Sequence, residues 1–242
     1  MYIIDLLKKT IGKIARFACT IDSPYRSSES FVAFLRSKGV CIGDDVHFHQ
    51  LTNLNIDITR PTLLSIGNKV RLTQGLTILT HDFSWYVLLN KYDDMVGASG
   101  RVTIGNNIFI GFNCTILSGT KISDNVIIGA NSVLRGEIQS DSVYAGAPAK
   151  RICSLDEFYD KRKSVRESEI SEYVSSLHEL YGNEIPDAML SEEFMSFYRP
   201  ELNNYDKKIV AKQLKDRQSN AIKRNQPRFL NKVEFINEYV KK

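Results

Sequence analysis

Residues 100–138 read GRVTIGNNIFIGFNCTILSGTKISDNVIIGANSVLRGEI, and a large aliphatic recurs at every sixth position: Ile104, Ile110, Ile116, Ile122, Ile128 and Leu134. The same beat runs upstream through Ile42, Phe48, Leu54, Arg60, Ile66, Leu72 and Ile78. Twelve of these thirteen positions are large and apolar, where a chain of 43% apolar content would place about five or six. Glycine often comes next, at Gly43, Gly67, Gly105, Gly111 and Gly129. The fourth position after the aliphatic is small or β-branched, as in Val46, Val70, Cys114, Thr120, Val126 and Ser132. A period of six suits neither a helix nor an ordinary strand. It suits a β-solenoid of short flat faces, with every sixth residue pointing into a narrow triangular core. A fixed internal period outranks local propensity.

Working outward, the frame breaks once. Ile78 and Ile104 are 26 residues apart, and the excess lies in DFSWYVLLNKYDDMVGASG, residues 82–100. This reads as a protruding loop, and long insertions in regular scaffolds tend to carry function. It holds the chain's single tryptophan, Trp85, and it begins immediately after His81. Three parts follow: an N-terminal helical cap (1–39), the solenoid (40–153) and a C-terminal helical region (154–242). A short helix is expected around Glu29–Lys38, stopped by Gly39. Ser154 and Glu157 form a capping-box pattern that opens a helix running to about Leu180 and stopping at Gly182. Helical ends suit a solenoid, whose terminal strands and core would otherwise be bare.

Bulk properties narrow the function. Four scattered cysteines (Cys19, Cys41, Cys114, Cys153) without CxxC spacing point to a reducing compartment and away from structural zinc. Cys114 falls on a small core position. A net charge of +4 is too weak to indicate nucleic acid. Residues 155–206 carry 5 basic and 13 acidic side chains, and residues 207–242 carry 11 and 3. These oppositely charged segments pack together or stay solvated, with an anionic glycan or lipid surface as the minor option. No apolar stretch is long enough for a signal or a membrane span. Ile3, Ile4, Leu7, Ile11 and Ile14 share a helical stripe among lysines, which suits a cap or peripheral contact with the inner face of a membrane. The protein is therefore expected in the cytoplasm.

Of the four histidines, His47 and His49 alternate along an early coil as surface or packing residues, with no third metal ligand at convincing spacing. His178 falls in the C-terminal helix. His81, at a junction between coil and loop, is the candidate for acid–base work.

ILTHDFSW (residues 78–85), the stretch quoted first, and VYAGAPAKRI (residues 143–152) together resemble the hexapeptide-repeat acyltransferases. The likeness is greatest to capsule and O-antigen O-acetyltransferases, and more distant to galactoside and maltose acetyltransferases. It covers roughly residues 40–153. The resemblance implies a mainly β fold, a left-handed parallel β-helix. It implies acetyl-CoA as donor, no metal, a sugar or polysaccharide hydroxyl as acceptor, and a homotrimer with its sites between adjacent solenoids. His81 matches the family's general base and the Phe112 backbone N–H its oxyanion donor. Gly129 and Ala130 match the pantetheine path, with Arg135, Lys150 and Arg151 near the phosphates. The closing motif departs from the family's AGNPA, with Ala147 in place of Asn. IDITRP (residues 56–61) brings Asp57 and Arg60 to the acceptor side, about one turn before His81, where Asp57 orients an acceptor hydroxyl or His81. Arg60 marks a slip of register or reaches into the site, and a bulge facing the cleft is favoured over a buried unpaired charge. Trp85 offers a flat face for a sugar ring, or anchors its loop. The rival readings are an N-acetyltransferase of a nucleotide-linked amino sugar, a small-molecule acetyltransferase, and an idle or metal-binding scaffold.

Overall fold

The computed structural model describes residues 23–190, Phe229 and residues 231–240. The N-terminal stripe of Ile3, Ile4, Leu7, Ile11 and Ile14, and most of the basic segment 207–242, lie outside these residues. Two compact units divide at Tyr159 and Asp160.

In the first unit fourteen short strands wind into three parallel sheets. One sheet holds β1 (Cys41–Ile42), β4 (Leu64–Ile66), β7 (Val102–Ile104), β10 (Lys121–Ile122) and β13 (Glu137–Ile138). The second holds β2 (His47–Phe48), β5 (Val70–Leu72), β8 (Ile108–Ile110), β11 (Val126–Ile128) and β14 (Ser142–Ala145). The third holds β3 (Asn55–Ile56), β6 (Thr77–Ile78), β9 (Thr115–Ile116) and β12 (Val133–Leu134). Each coil visits the three sheets in turn, the solenoid that the six-residue beat anticipates and the left-handed parallel β-helix that the family resemblance implies. In register, Ile104 stacks on Ile122, Ile110 on Ile128 and Ile116 on Leu134. These side chains are fully or almost fully buried and form one continuous core. Each contributes about 1.5–3 kcal/mol by leaving water.

The frame slips in the first coil. Ile56, not Leu54, pairs with Ile78, and both Leu54 and Ile56 are partly buried against the core. Arg60 drops out of the inward series. It is exposed and caps a 3₁₀ turn, Pro61–Leu63, which absorbs the extra residues before β4. A buried guanidinium without a partner would be costly, and this detour avoids it.

The corners are made by residues that tolerate left-handed backbone, including Asn107, Asn113, Asn125 and Asn131 at φ of 55 to 59°. One corner is bound by two side-chain ladders. Asn68 N–H and Nδ2 donate to Asn106 Oδ1 (2.8 and 2.9 Å), and Asn106 N–H and Nδ2 donate to Asp124 (2.7 and 3.1 Å). Alongside, Asn107 Nδ2 donates to Asn125, and Asn125 Nδ2 to Asp141, each at 2.8 Å. Both ladders end on a carboxylate.

Helix α1 (Ser28–Ser37) closes the first end. Ser27 accepts from Ser30 N–H as its N-cap, and Gly39 at φ 101° ends the run. Its apolar face buries Phe31, Val32 and Leu35, with Phe31 edge-on to Phe48 at 5.0 Å. At the far end β15 (Lys150–Ser154) runs antiparallel to β14 and covers it.

Helix α3 (Leu155–Tyr181) opens on the expected capping box: Glu157 N–H donates to Ser154 Oγ, and Ser154 N–H to Glu157 Oε2. Gly182 at φ 58° follows its end. The second unit has its own core, in which Ile170, Val174 and Leu177 pack with Ile185, Leu190 and Phe229. Phe235, Ile236 and Tyr239 of α4 (Lys232–Val240) complete it. Among the described residues no helix is long and apolar enough to cross a membrane.

Candidate active site

The pairing of Ile56 with Ile78 decides what lies next to His81. It sets Asp57 beside Leu79, with Asp57 N–H bonded to the Ile78 carbonyl at 2.9 Å. The Asp57 carboxylate then reaches the end of the neighbouring coil. Its Oδ2 lies 2.6 Å from His81 Nδ1 and accepts from the Thr80 N–H at 3.2 Å and from the Thr80 hydroxyl. Its Oδ1 accepts from the Thr59 N–H at 2.9 Å and hydroxyl at 2.6 Å. The Asp57 side chain is 6% exposed and that of His81 19%. Burial works against a charged carboxylate here, but the hydrogen bonds from the Thr59 and Thr80 hydroxyls, the Thr59 amide and His81 outweigh it. They hold Asp57 well below the ordinary carboxylate range.

An ionised carboxylate only accepts, so Nδ1 of His81 carries the proton and donates it to Asp57. Nε2 keeps its lone pair and can take a proton. The carboxylate also stabilises the imidazolium that results. Of the two roles expected for Asp57, the geometry gives the one directed at His81. Its oxygens are all engaged within the protein, which leaves none for an acceptor hydroxyl.

The inserted loop leaves and returns at this point. His81 is bridged to Ser99, and Gly100 N–H donates to the Thr80 carbonyl at 2.9 Å, so the catalytic candidate is held from both sides. The loop is not wholly irregular: Trp85–Tyr92 forms helix α2, none of whose residues is buried. Asp82 turns away from His81 to accept from the Ser84 hydroxyl and N–H. Those bonds lower its pKa, with smaller help from Arg135 and His81. Trp85 does not meet His81. Phe83 stands between them, its ring 5.9 Å from His81 and 5.7 Å from Trp85, and it is 70% exposed. The alternation of His81, Phe83 and Trp85 is the signal that would have singled out Phe83. Arg60 lies on the rim, where its Nη1 donates to the Ala98 carbonyl at 3.4 Å, next to Ser99.

The residues matched to the donor lie largely at another corner, between the second and third sheets. Phe112 follows β8 there. Among the described residues its N–H meets no acceptor, while its carbonyl accepts from Asn131 N–H at 2.7 Å. Gly111 must lack a side chain, because a Cβ would come 2.7 Å from the Ala130 nitrogen. Gly129 stacks next in the same column, its N–H on the Tyr144 carbonyl, followed by Ala145, which pairs with Lys150. Arg151 is exposed one residue along β15. The turn between β14 and β15 holds a cis Ala147–Pro148 bond. Beneath this corner the Cys114 thiol donates to the Gly129 carbonyl at 3.2 Å, and burial pushes its pKa up, which disqualifies it as a thiolate nucleophile. Arg135 departs from the group. It follows β12, stands on the His81 side, and is close enough to Asp82 to lower its pKa.

His81 and Phe112 therefore sit at opposite edges of the third sheet, and one chain does not bring them together. His47 and His49 stack edge-on at 4.9 Å, and His178 Nδ1 is 3.0 Å from the Gly182 carbonyl. Among the described residues no three potential metal ligands converge.

The bacterial transferase hexapeptide family (six repeats) matches residues 101–136. Protein CapG of Staphylococcus aureus is 35% identical over 127 residues, covering 52% of this chain and 73% of that protein. The putative lipopolysaccharide biosynthesis O-acetyl transferase WbbJ of Escherichia coli is 30% identical over 156 residues, covering 58% and 78%. The galactoside O-acetyltransferase of the same organism is 30% identical over 117 residues, covering 48% and 57%.

Proposed function

This chain belongs to the hexapeptide-repeat transferases of bacteria and is an acyltransferase, and from that premise we propose that it carries an acetyl group from acetyl-CoA to a sugar hydroxyl of a surface polysaccharide or its precursor. The observation that carries this reading is the Asp57–His81 pair at the coil edge, with Nε2 left as a proton acceptor. His81 takes the proton of the acceptor hydroxyl as its oxygen attacks the thioester carbonyl. The negative charge that develops on the carbonyl oxygen is met by the Phe112 N–H, a contribution on the order of 3 kcal/mol for such a donor. Collapse of the tetrahedral intermediate breaks the carbon–sulfur bond, and the departing thiolate recovers the proton from His81. Acetyl ester and CoA result, with no acyl-enzyme stage.

Because His81 and Phe112 occupy opposite edges of one sheet, the site is completed by a second copy in a closed homotrimer. His81 of one protomer faces the Phe112–Gly129–Ala130 corner of the next. Lys150 and Arg151 continue that column toward the donor's phosphates. A point charge from Lys150 and a guanidinium fork from Arg151 both suit phosphate oxygens. Arg60 and the Phe83–Trp85 aromatics line the acceptor side. The name of WbbJ, a putative lipopolysaccharide biosynthesis O-acetyl transferase, supports a surface-glycan acceptor over a free metabolite.

The test is incubation of wild type and His81→Ala with acetyl-CoA and capsular or lipopolysaccharide glycans, read by mass spectrometry before and after mild alkali. An alkali-labile acetyl group added by wild type alone is expected. An alkali-stable product would make the acceptor an amine, and equal transfer by His81→Ala would remove His81 as base.

A further inference from the structure

The rim around His81 gathers arginine side chains that no carboxylate neutralises. Arg36, Arg71 and Arg162 each meet a carboxylate within 4.0 Å, while Arg135 and Arg151, among the described residues, do not. Nor do Arg60 and Arg101, among the described residues. Each spends one N–H on a backbone carbonyl: Arg60 on Ala98 at 3.4 Å, Arg101 on Thr62 at 3.0 Å. The rest of each fork, which carries five N–H donors, has no protein partner among the described residues.

Their placement is specific. Arg60 belongs to the turn that follows Asp57, and its bond falls on the residue preceding Ser99, which is bridged to His81. Arg101, from the returning end of the same loop, reaches back to Thr62 in that turn. The two arginines thus cross-strap the two segments that flank the Asp57–His81 pair. Carboxylates nearby are committed: Asp57 to His81, Thr59 and Thr80, and Asp82 to Ser84. Two guanidinium groups with spare paired donors suit an oxyanion with two or three oxygens, which they can bind by parallel N–H bonds.

We infer that Arg60 and Arg101 form a subsite for an anionic group, a carboxylate or a phosphate, carried by the sugar whose hydroxyl His81 deprotonates. The acceptor is then an acidic sugar. This rests on the reading of His81 as base, and deepens it by naming the substrate's charge.

The test is a titration of the full chain, followed by saturation-transfer NMR, with three probes: methyl galactopyranosiduronate, galactose 6-phosphate and methyl galactopyranoside. At least one charged probe is expected to bind about tenfold more tightly than the neutral one, and which of the two prevails identifies carboxylate or phosphate. Arg60→Gln and Arg101→Gln should each erase most of that advantage, leaving the acetyl-CoA Kd unchanged. Equal binding of charged and neutral probes, or measurable binding of none, overturns the subsite. Loss of acetyl-CoA affinity in the variants also overturns it, by assigning the arginines to the donor's phosphates. Since the readout is binding, His81→Ala should retain the charge preference. A preference that survives in a chain unable to acetylate any glycan would overturn the catalytic reading and leave the subsite standing.

Discussion

At the scale of single residues the site rests on one buried carboxylate. Asp57→Asn should keep the shape but turn an amide N–H toward Nδ1, forcing the imidazole proton onto Nε2 and removing the base. The expected loss in kcat is about 10²–10⁴-fold, close to that of His81→Ala, with the acetyl-CoA KM nearly unchanged; steady-state kinetics on both variants checks it. A second expectation concerns stability. The folded pKa of Asp57 is depressed, so its contribution is fully present above the ordinary carboxylate value of about 3.9 and is lost as pH falls through the folded value. The stability advantage of wild type over Asp57→Asn should therefore hold from pH 7 to about 4 and shrink below that. Denaturant titrations at several pH values would reveal it, and an advantage that fails to shrink below about pH 4 would contradict an ionised, hydrogen-bonded Asp57.

At the scale of elements, coils are held by burial inside and by ladders at the corner. Asn106→Ala removes an acceptor used by two donors of Asn68 and a donor to Asp124. Its exposed position limits the cost to on the order of 1 kcal/mol. A drop in denaturation midpoint with unchanged m-value is the expected signature. Gly111→Val, by contrast, drives a side chain into the Ala130 backbone and should cost more than Asn106→Ala.

Much of this was legible in the chain. The beat from Ile104 to Leu134 gave the core because burial repeats once per face, and Asn-rich corners give the turns little freedom to vary. The first coil was harder to read. Leu54 keeps the period and Ile56 does not, both pack against the core, and only the strand register with Ile78 separates them. His81 was visible as the residue at the loop junction. Its partnership with Asp57 was one of two roles that the spacing of about one turn left open, and the strand register of Ile56 on Ile78 brings the two side chains together. Phe83 and the helix within the loop were hidden for another reason. An eight-residue helix is marginal alone, so its formation depends on surroundings rather than on propensity.

At the scale of the whole molecule, a site shared between copies has a measurable consequence. Co-expressing His81→Ala with Ala130→Arg combines two chains defective at different corners. If sites lie between copies, random mixing pairs an intact His81 edge with an intact donor corner at about a quarter of sites. Near that fraction of wild-type turnover is expected from the mixture, against almost none from either variant alone; a silent mixture would confine each site to one chain.

The corner ladders have a further consequence for anyone who wishes to lengthen this scaffold. Asparagine passes hydrogen bonds from coil to coil because it both gives and receives, whereas Asp124 and Asp141 receive only. The stack is thus written with a direction and a stop sign. Duplicating the coil that contains Asn106 would extend the sentence. Duplicating the one that contains Asp124 would set carboxylate against carboxylate and interrupt it.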